Sequence, residues 1–469
     1  MDAAVQSKPV GNVQALIWLS LFAALVALLG GSARFDAVQI AALRPLAALF
    51  LIPAFYYLSR DSAKDAKVPL LLLAAITVWT AIQLIPLPPA LWHALPGRGL
   101  LAELDAMHGL EGTWRPIAWV PMRGWNALMA LVIPIAAALL VIALRPSGQS
   151  VLLIIAAMGC ADAALGLLQI TAGAGSPLYT YTHTNGGAPV GIFANENHSA
   201  VFSAMVLVVI ARLGFSPRKR RVNPVYFIAL AAAYILVLIS LLVSGSRAGL
   251  GIGLVGVIAT AVLAYLWLAK PKPGISAPKP MALMMQRPRT VMLAGLGAFL
   301  ALLFALFQFE RVPGLIDAMD QSAFEDLRWR ILPILQEMMA AYWVFGIGFG
   351  SFDAVYMIEE PTELLNSAYL NQAHNDWAQI VIEGGIPAVL IVIALGVWTY
   401  LAVRSLYAQN FAALGRCVFW VTIAAMLTVA SLFDYPLRTP IIQTIGVWLA
   451  LVLAFDVRDN TAKAAKEMK

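Results

Sequence analysis

The chain has 469 residues, of which 61% are hydrophobic and only 12% charged, and its mean hydropathy is +0.81. A soluble domain is about half apolar and about a quarter charged, so this charge cannot cover a water-soluble globule of such size. A typical cytosolic enzyme, a disordered chain and a nucleic-acid binder are therefore excluded, in spite of the net charge of +6. The apolar residues fall in long runs of about 20, the length a helix needs to cross a bilayer. In chain order the runs predict twelve membrane helices at 13–31, 38–58, 69–88, 126–144, 150–170, 198–213, 224–243, 249–268, 291–309, 377–403, 413–432 and 440–457. The first reads as a retained anchor, because no cleavage pattern follows it. In hydrocarbon each span must satisfy its own backbone, which makes it a helix. A β-barrel would show shorter, strictly alternating segments. The expected fold is a single all-α polytopic membrane domain over 1–469, interrupted by polar loops at 89–125 and 310–376. Cys160 and Cys417 lie inside apolar runs and form neither a disulfide framework nor a metal-ligand cluster.

With a cytoplasmic N-terminus and alternating spans, 21 of the 31 basic residues fall inside, among them all ten lysines and the basic run at 218–221. That is a positive-inside pattern, with both termini cytoplasmic. The outer side receives all five histidines, most carboxylates, and arginines but no lysines. Arg247, Arg328, Arg330 and Arg438 stand there close to apolar runs. Snorkelling from a helix end accounts for any one of them, and is the reading taken for Arg44. Four together fit a phosphate or carboxylate ligand better.

Four outer segments concentrate the polar chemistry, and a shorter fifth adds to them. GIFANENHSA, within 186–200, places Asn195, Glu196, Asn197 and His198 at the mouth of a span. Capping by Asn195 or Asn197 explains one of these residues but not all four. SGSRAGLG, 244–251, puts small residues around Arg247, allowing close helix approach or leaving room for a ligand. The long loop carries DLRWR, 326–330, followed by apolar residues at 331, 334, 335, 338, 339 and 342. These predict an amphipathic helix lying on the outer surface, with Pro333 kinking it or sitting in its first turn. GIGFG, 346–350, is a plain turn or hinge, or a set of backbone N–H groups for a phosphate. In NQAHNDWAQIVIEGGIP, His374, Asn375 and Asp376 precede the tenth span, and Glu383 and two glycines lie about two turns in. His374 is a packed or capping residue, or the group that takes a proton from a hydroxyl. Glu383 inside an apolar run calls for an arginine or histidine partner. FDYPLRTP, 433–440, adds Asp434 and Arg438.

On these pieces (GIFANENHSA, SGSRAG, DLRWR to GIGFGSF, and AHNDW to EGG) the chain resembles the O-antigen ligase and polymerase superfamily of bacterial inner-membrane glycan transferases. The likeness is strongest over 186–440. The resemblance implies a GT-C-like fold with a partly helical periplasmic loop. It implies transfer of a glycan from an undecaprenyl diphosphate to an acceptor hydroxyl at the periplasmic face, with inversion at the anomeric carbon and with no metal or other cofactor. The acceptor would be lipid A–core for a ligase or a growing glycan for a polymerase, and the motifs leave both open. It further implies membrane lipids and polysaccharide export or chain-length machinery as partners, and no nucleic acid. By resemblance Arg247 and one of Arg328 or Arg330 hold the diphosphate. His374 activates the acceptor hydroxyl. Asn195, Asn197, His198, Asn375, Asp376, Asp434 and Arg438 bind substrate or support the catalytic groups, and Glu383 and Asp434 also serve as partners for the histidine or an arginine. Because Arg328 and Arg330 are two apart, they do not share a helix face. A transporter or flippase of lipid-linked glycans is the competing class. It should carry charge in a central cavity reached from both sides, often with an inverted repeat, and neither is visible in the sequence.

Overall fold

A computed structural model describes residues 11–215, 223–269, 287–308, 323–365, 370–409 and 413–467. The basic run at 218–221 and Lys270, Lys272 and Lys279 lie outside the described residues. The described chain is mainly helical, with one isolated β-bridge between Leu87 and Arg115. In order the helices are α1 (Asn12–Leu29), α2 (Val38–Leu49), α3 (Leu51–Tyr57), α4 (Arg60–Asp65), α5 (Lys67–Ile82), α6 (Pro89–His93), α7 (Gly99–His108), α8 (Pro121–Ala130), α9 (Val132–Leu144), α10 (Gly148–Ala172), α11 (Glu196–Phe215), α12 (Pro224–Leu242), α13 (Arg247–Leu268), α14 (Pro288–Gln308), α15 (Ala323–Tyr342), α16 (Phe352–Glu359), α17 (Asp376–Gln409), α18 (Leu414–Phe433) and α19 (Pro440–Glu467).

Among the described residues, ten helices are long and apolar enough to cross a membrane, with α2–α3 and α8–α9 each counting as one. The other two expected spans also exist as helices. The run at 69–88 yields α5, whose 16 residues extend about 24 Å. Pro86, Pro88 and Pro89 stop it early, since a proline disfavours helix in the residue before it and removes a donor. The run at 291–309 is α14, 21 residues long.

α11 is the hub. Its residues are buried along nearly the whole length, and it packs against α10, α12, α13 and α18. It was the shortest apolar run in the sequence, and a helix apolar on every face belongs in a core. The opposite half of the molecule is built by α17, which packs on α5, α18 and α19. At one end of the bundle Arg458 Nη1 donates to Asp65 Oδ2 at 2.8 Å, and Arg212 Nη2 to Asp456 Oδ2 at 2.6 Å. At the other end stand the loops and half-helices that carry the unusual motifs.

Two devices fix that end. Asp162, in the middle of α10, accepts from the Ile192 N–H and the Ser199 hydroxyl, both at 2.9 Å, and so ties the segment before α11 to the bundle. The second device is a broken helix. α17 leaves helical geometry at Gly385 (φ 62°, ψ −163°). Into the break fits the GIGFG turn: Ile347 N–H donates to the Ile382 carbonyl, Gly348 N–H to that of Glu383, and Ile386 N–H to that of Val344. An alanine at 385 would meet the Val344 oxygen at 2.6 Å, in a backbone region nearly closed to L-residues. Gly385→Ala is therefore expected to lower stability by about 1–3 kcal/mol. Thermal unfolding of the detergent-solubilised protein checks this, and an unchanged midpoint would contradict it.

The apolar stripe of α15 is real but covered by protein. Ile331, Ile334, Leu335, Met338 and Tyr342 are buried against Ala373, Ala378 and Ile382 around the start of α17, and against the segment 352–364. The amphipathic stripe is present as expected, and what covers it is protein. Pro333 lies inside α15, beyond its first turn. Arg98, buried between the Trp92 and Trp119 rings, donates to the carbonyls of Ile117 and Gly346 and holds the 89–125 loop to the GIGFG turn.

Candidate active site

The site forms where the segments before α11, before α17 and between α18 and α19 converge. His374 ends the loop preceding α17 with φ at 49°, one of two non-glycine residues held in left-handed geometry among those described. Such a conformation costs energy and marks a residue over-determined by its surroundings. The surroundings are clear. His374 Nδ1 is 3.3 Å from Asp434 Oδ1, and its ring stands edge-on to Tyr435 at 4.8 Å. His198, fully buried in the first turn of α11, meets the other side of the same pair. Its Nε2 is 3.9 Å from Asp434 Oδ1 and its ring is 4.9 Å from Tyr435. Two histidines thus share one carboxylate and one phenol. The Tyr435 hydroxyl is hydrogen-bonded to the side chains of Asn195 and Asn371, and burial, aided by Asp434, raises its pKa well above the usual phenol range. It stays protonated at neutral pH.

Directly below lies a second, differently constituted cluster. Arg438 Nη1 donates to Glu383 Oε2 at 2.6 Å, and Arg438 Nε is 3.4 Å from Asp376 Oδ1. Glu383 Oε1 also accepts from Gly350 N–H and Phe352 N–H, at 3.0 and 3.1 Å. Asp376 Oδ2 accepts from Leu437 N–H at 3.0 Å and from the Ser431 hydroxyl at 3.2 Å. Burial opposes the charge on Arg438, but Glu383 and Asp376 more than offset it, and the guanidinium is held charged. The expected partner for Glu383 is therefore Arg438. Both carboxylates have most of their acceptor capacity committed within the protein, which suits them to joining elements. They join the break in α17, the 350–352 turn and the α18–α19 connection.

The turn at 346–350 is a turn alone. Gly346 N–H donates to Tyr342, Ile347 to Ile382, Gly348 to Glu383, Phe349 to the Gln83 side chain, Gly350 to Glu383 and Ser351 to Gly348. With these N–H groups taken, the turn cannot cradle a phosphate through them, and that alternative is overturned.

The remaining predicted residues have definite places. Asn195 Oδ1 accepts from the Asn197 N–H at 2.8 Å, so it caps as well as contacting Tyr435. Asn197 is partly buried in the first turn of α11. Asn375 Oδ1 accepts from Ala378 N–H at 3.0 Å, an N-cap. Arg247 opens α13 behind the capping Ser246. Gly245 beside it donates to Glu196 Oε2 at 3.2 Å, which brings the Arg247 segment to the mouth of α11. Arg330 is exposed on α15 and its Nη2 donates to the Glu363 carbonyl at 3.2 Å. Arg328 is on the same helix, but its side chain lies outside the described residues. Sequence reasoning missed Tyr435 and Asn371. Their signal was position alone: a tyrosine beside Asp434, and an asparagine three residues before His374.

Residues 232–393 match the family model described as O-antigen ligase. The matched stretch contains Arg247, Arg330, His374 and Glu383, and lies between Asn195–His198 on one side and Asp434–Arg438 on the other. No curated protein matches the chain. The match, together with helices long enough to span a membrane many times, supports placing this all-α polytopic membrane protein in the O-antigen ligase superfamily.

Proposed function

We propose that the protein transfers a glycan from a polyprenyl diphosphate to an acceptor hydroxyl at the periplasmic face of the bacterial inner membrane. The observation that carries this reading is His374, held in a strained backbone conformation against Asp434 at 3.3 Å, at the mouth of a membrane helix. The Asp434 carboxylate, 3.3 Å from Nδ1, favours the charged ring that results when His374 takes the acceptor's proton. The acceptor oxygen then attacks the anomeric carbon as the bond from that carbon to the phosphate oxygen breaks. The diphosphate departs with the electron pair, and configuration inverts. Arg247, with Arg328 or Arg330, meets the charge that grows on the leaving group, where fixed cations are most effective. Asn195 and Asn371 hold Tyr435, and through it the two histidines. Asn197, Asn375 and Asp376 belong to the frame of the same mouth. The reaction needs no metal in this scheme.

The segregation of charge favours transfer over transport, since the cluster of arginines, histidines and carboxylates gathers at one end of the bundle. Purified protein in liposomes, supplied with undecaprenyl-diphosphate-linked glycan and an acceptor, provides the test. Wild type should transfer, and Arg247→Ala should lose about 10²–10³-fold, the usual effect of removing one charge-stabilising donor. Near-wild-type transfer by that variant would remove Arg247 from the mechanism. Deletion in the cell separates ligase from polymerase: polymer left on undecaprenol beside bare core indicates a ligase, and single repeat units indicate a polymerase.

A further inference from the structure

The 89–125 loop contains a helix built inside out. On α7, Asp105 is buried and paired with Arg115, and Arg98 at the N-cap is buried as well. The other face carries Leu100, Leu104 and Met107, spaced as one helical stripe and all exposed, Met107 to 79%. Exposed Leu110 and Trp114 extend this apolar surface beyond the helix. A helix bathed in water turns such a stripe towards the core. A continuous exposed apolar patch of this kind marks a surface that something covers.

The neighbouring surface identifies the cover as lipid. Val78 and Ile82 are exposed on α5, and exposed apolar residues continue past its end in Ile85 and Leu91. On the return, Met122, Trp125 and Met129 are exposed at the spacing of one face of a helix. Their helix, α8, is with α9 long and apolar enough to cross a membrane. Depth points the same way. α5 begins at Lys67, and its 16 residues leave uncovered about 6 Å of a hydrocarbon core of about 30 Å. The segment after Gln83 has to cover that remainder. α7 is held at this level at two points. At its start, Arg98 Nη2 donates to the Gly346 carbonyl at 3.1 Å, while Gln83 Nε2, at the end of α5, donates to the carbonyl just before it, that of Phe345, at 3.2 Å. At its middle, Asp105 pairs with Arg115, whose backbone bridges to Leu87, shortly after Gln83. We propose that α7 is an interfacial anchor, lying along the bilayer surface at the site end of the bundle with Leu100, Leu104 and Met107 in the lipid. Glu103 and His108, exposed on either side of the stripe, stand at the headgroups, and Trp114 and Trp125 take the place of an aromatic belt. Part of the loop expected to be polar thus belongs to the membrane. Through Arg98 the anchor joins the turn that fits the break in α17, so the lipid surface helps to set the height of that turn. Nothing in this anchor depends on the transfer reaction.

Nitroxide labels on the full-length protein in phosphatidylcholine nanodiscs test this. They are placed one at a time at Leu104→Cys, Met107→Cys and Glu337→Cys, with Cys160 and Cys417 replaced by alanine. Glu337 is the control in water, exposed on α15 away from its buried stripe. Both α7 labels should meet dissolved oxygen more readily than an aqueous nickel chelate, at a depth of about 5–10 Å in the headgroup and acyl boundary. The label at 337 should show the reverse order. Nickel accessibility at 104 and 107 equal to that at 337 would overturn the anchor. So would low accessibility to both reagents, which would put protein over the stripe; dipolar broadening between labels would then identify a second copy. The unaltered protein gives a check that needs no cysteine exchange. In nanodiscs, hydroxyl radicals should oxidise Met107 as slowly as Met129, an exposed methionine within the Pro121–Leu144 span. Oxidation of Met107 as fast as in the unfolded chain would also overturn the anchor.

Discussion

Replacing His374 by glycine is expected to lower transfer by about 10²–10⁴-fold, the range of a lost general base, with no loss of stability. The choice of glycine matters. His374 sits at φ 49°, a conformation that glycine adopts without cost, so a misfolded loop cannot be the cause of the loss. The substitution also opens a space beside Asp434 the size of an imidazole ring. Imidazole added to the medium should therefore restore part of the rate, with the acceptor concentration for half-saturation unchanged. A residue that merely packs against Tyr435 would show no such recovery. Asp434→Asn tests the orienting partner. Its side chain lies 3.3 Å from Nδ1, and a neutral amide there no longer stabilises the ring as it gains a proton. The turnover number should fall while the Michaelis constant for the lipid-linked donor stays put, and imidazole should not help, because the native ring is still in place. Wild-type turnover in His374→Gly would assign the base elsewhere. Lost turnover that imidazole leaves untouched would make His374 structural.

The membrane architecture was legible because each apolar run answers to one constraint, the thickness of hydrocarbon. Where the reading slipped, a second constraint intervened. Three prolines shorten α5 before it reaches the limit set by hydropathy alone. The stripe on α15 was read correctly as a stripe, since the 3.6-residue period fixes which face is apolar. It does not fix what covers that face, and here the cover is the start of α17. The site was legible as a set of segments and illegible as a set of contacts. His374 and Asp434 were both singled out, yet nothing in the 59 intervening residues says that one touches the other. GIGFG shows the same limit. Its three glycines are equally compatible with a turn and with a phosphate cradle. The choice falls to Gln83 and Glu383, distant in sequence, which occupy the very N–H groups a phosphate would need. In the sequence Gly384 and Gly385 are two glycines inside an apolar span; that α17 breaks at Gly385, with the Val344 carbonyl seated beside it, is a tertiary feature.

Arg438→Met should be the most destabilising single change at this end of the molecule. Arg438 is the shared counter-ion of Asp376 and Glu383, both fully buried, and removing one partner from a buried pair costs about 3–5 kcal/mol because a charge is left uncompensated. Against a total stability of about 5–15 kcal/mol that is enough to lower the unfolding midpoint and the yield of extracted protein sharply. The loss should be reversible by chemistry rather than by restoring the arginine. Adding Asp376→Asn and Glu383→Gln to Arg438→Met neutralises the whole cluster, and the amide oxygens still accept from Leu437, Gly350 and Phe352. The triple variant is expected to regain most of the lost midpoint. Its activity then separates two roles for these three residues. If they are a clamp that holds the break in α17 beneath His374, transfer should return along with stability, well above that of His374→Gly. If Arg438 meets the sugar or the diphosphate itself, the triple variant will be stable and inactive, and the charge cluster moves from the frame of the site into its chemistry.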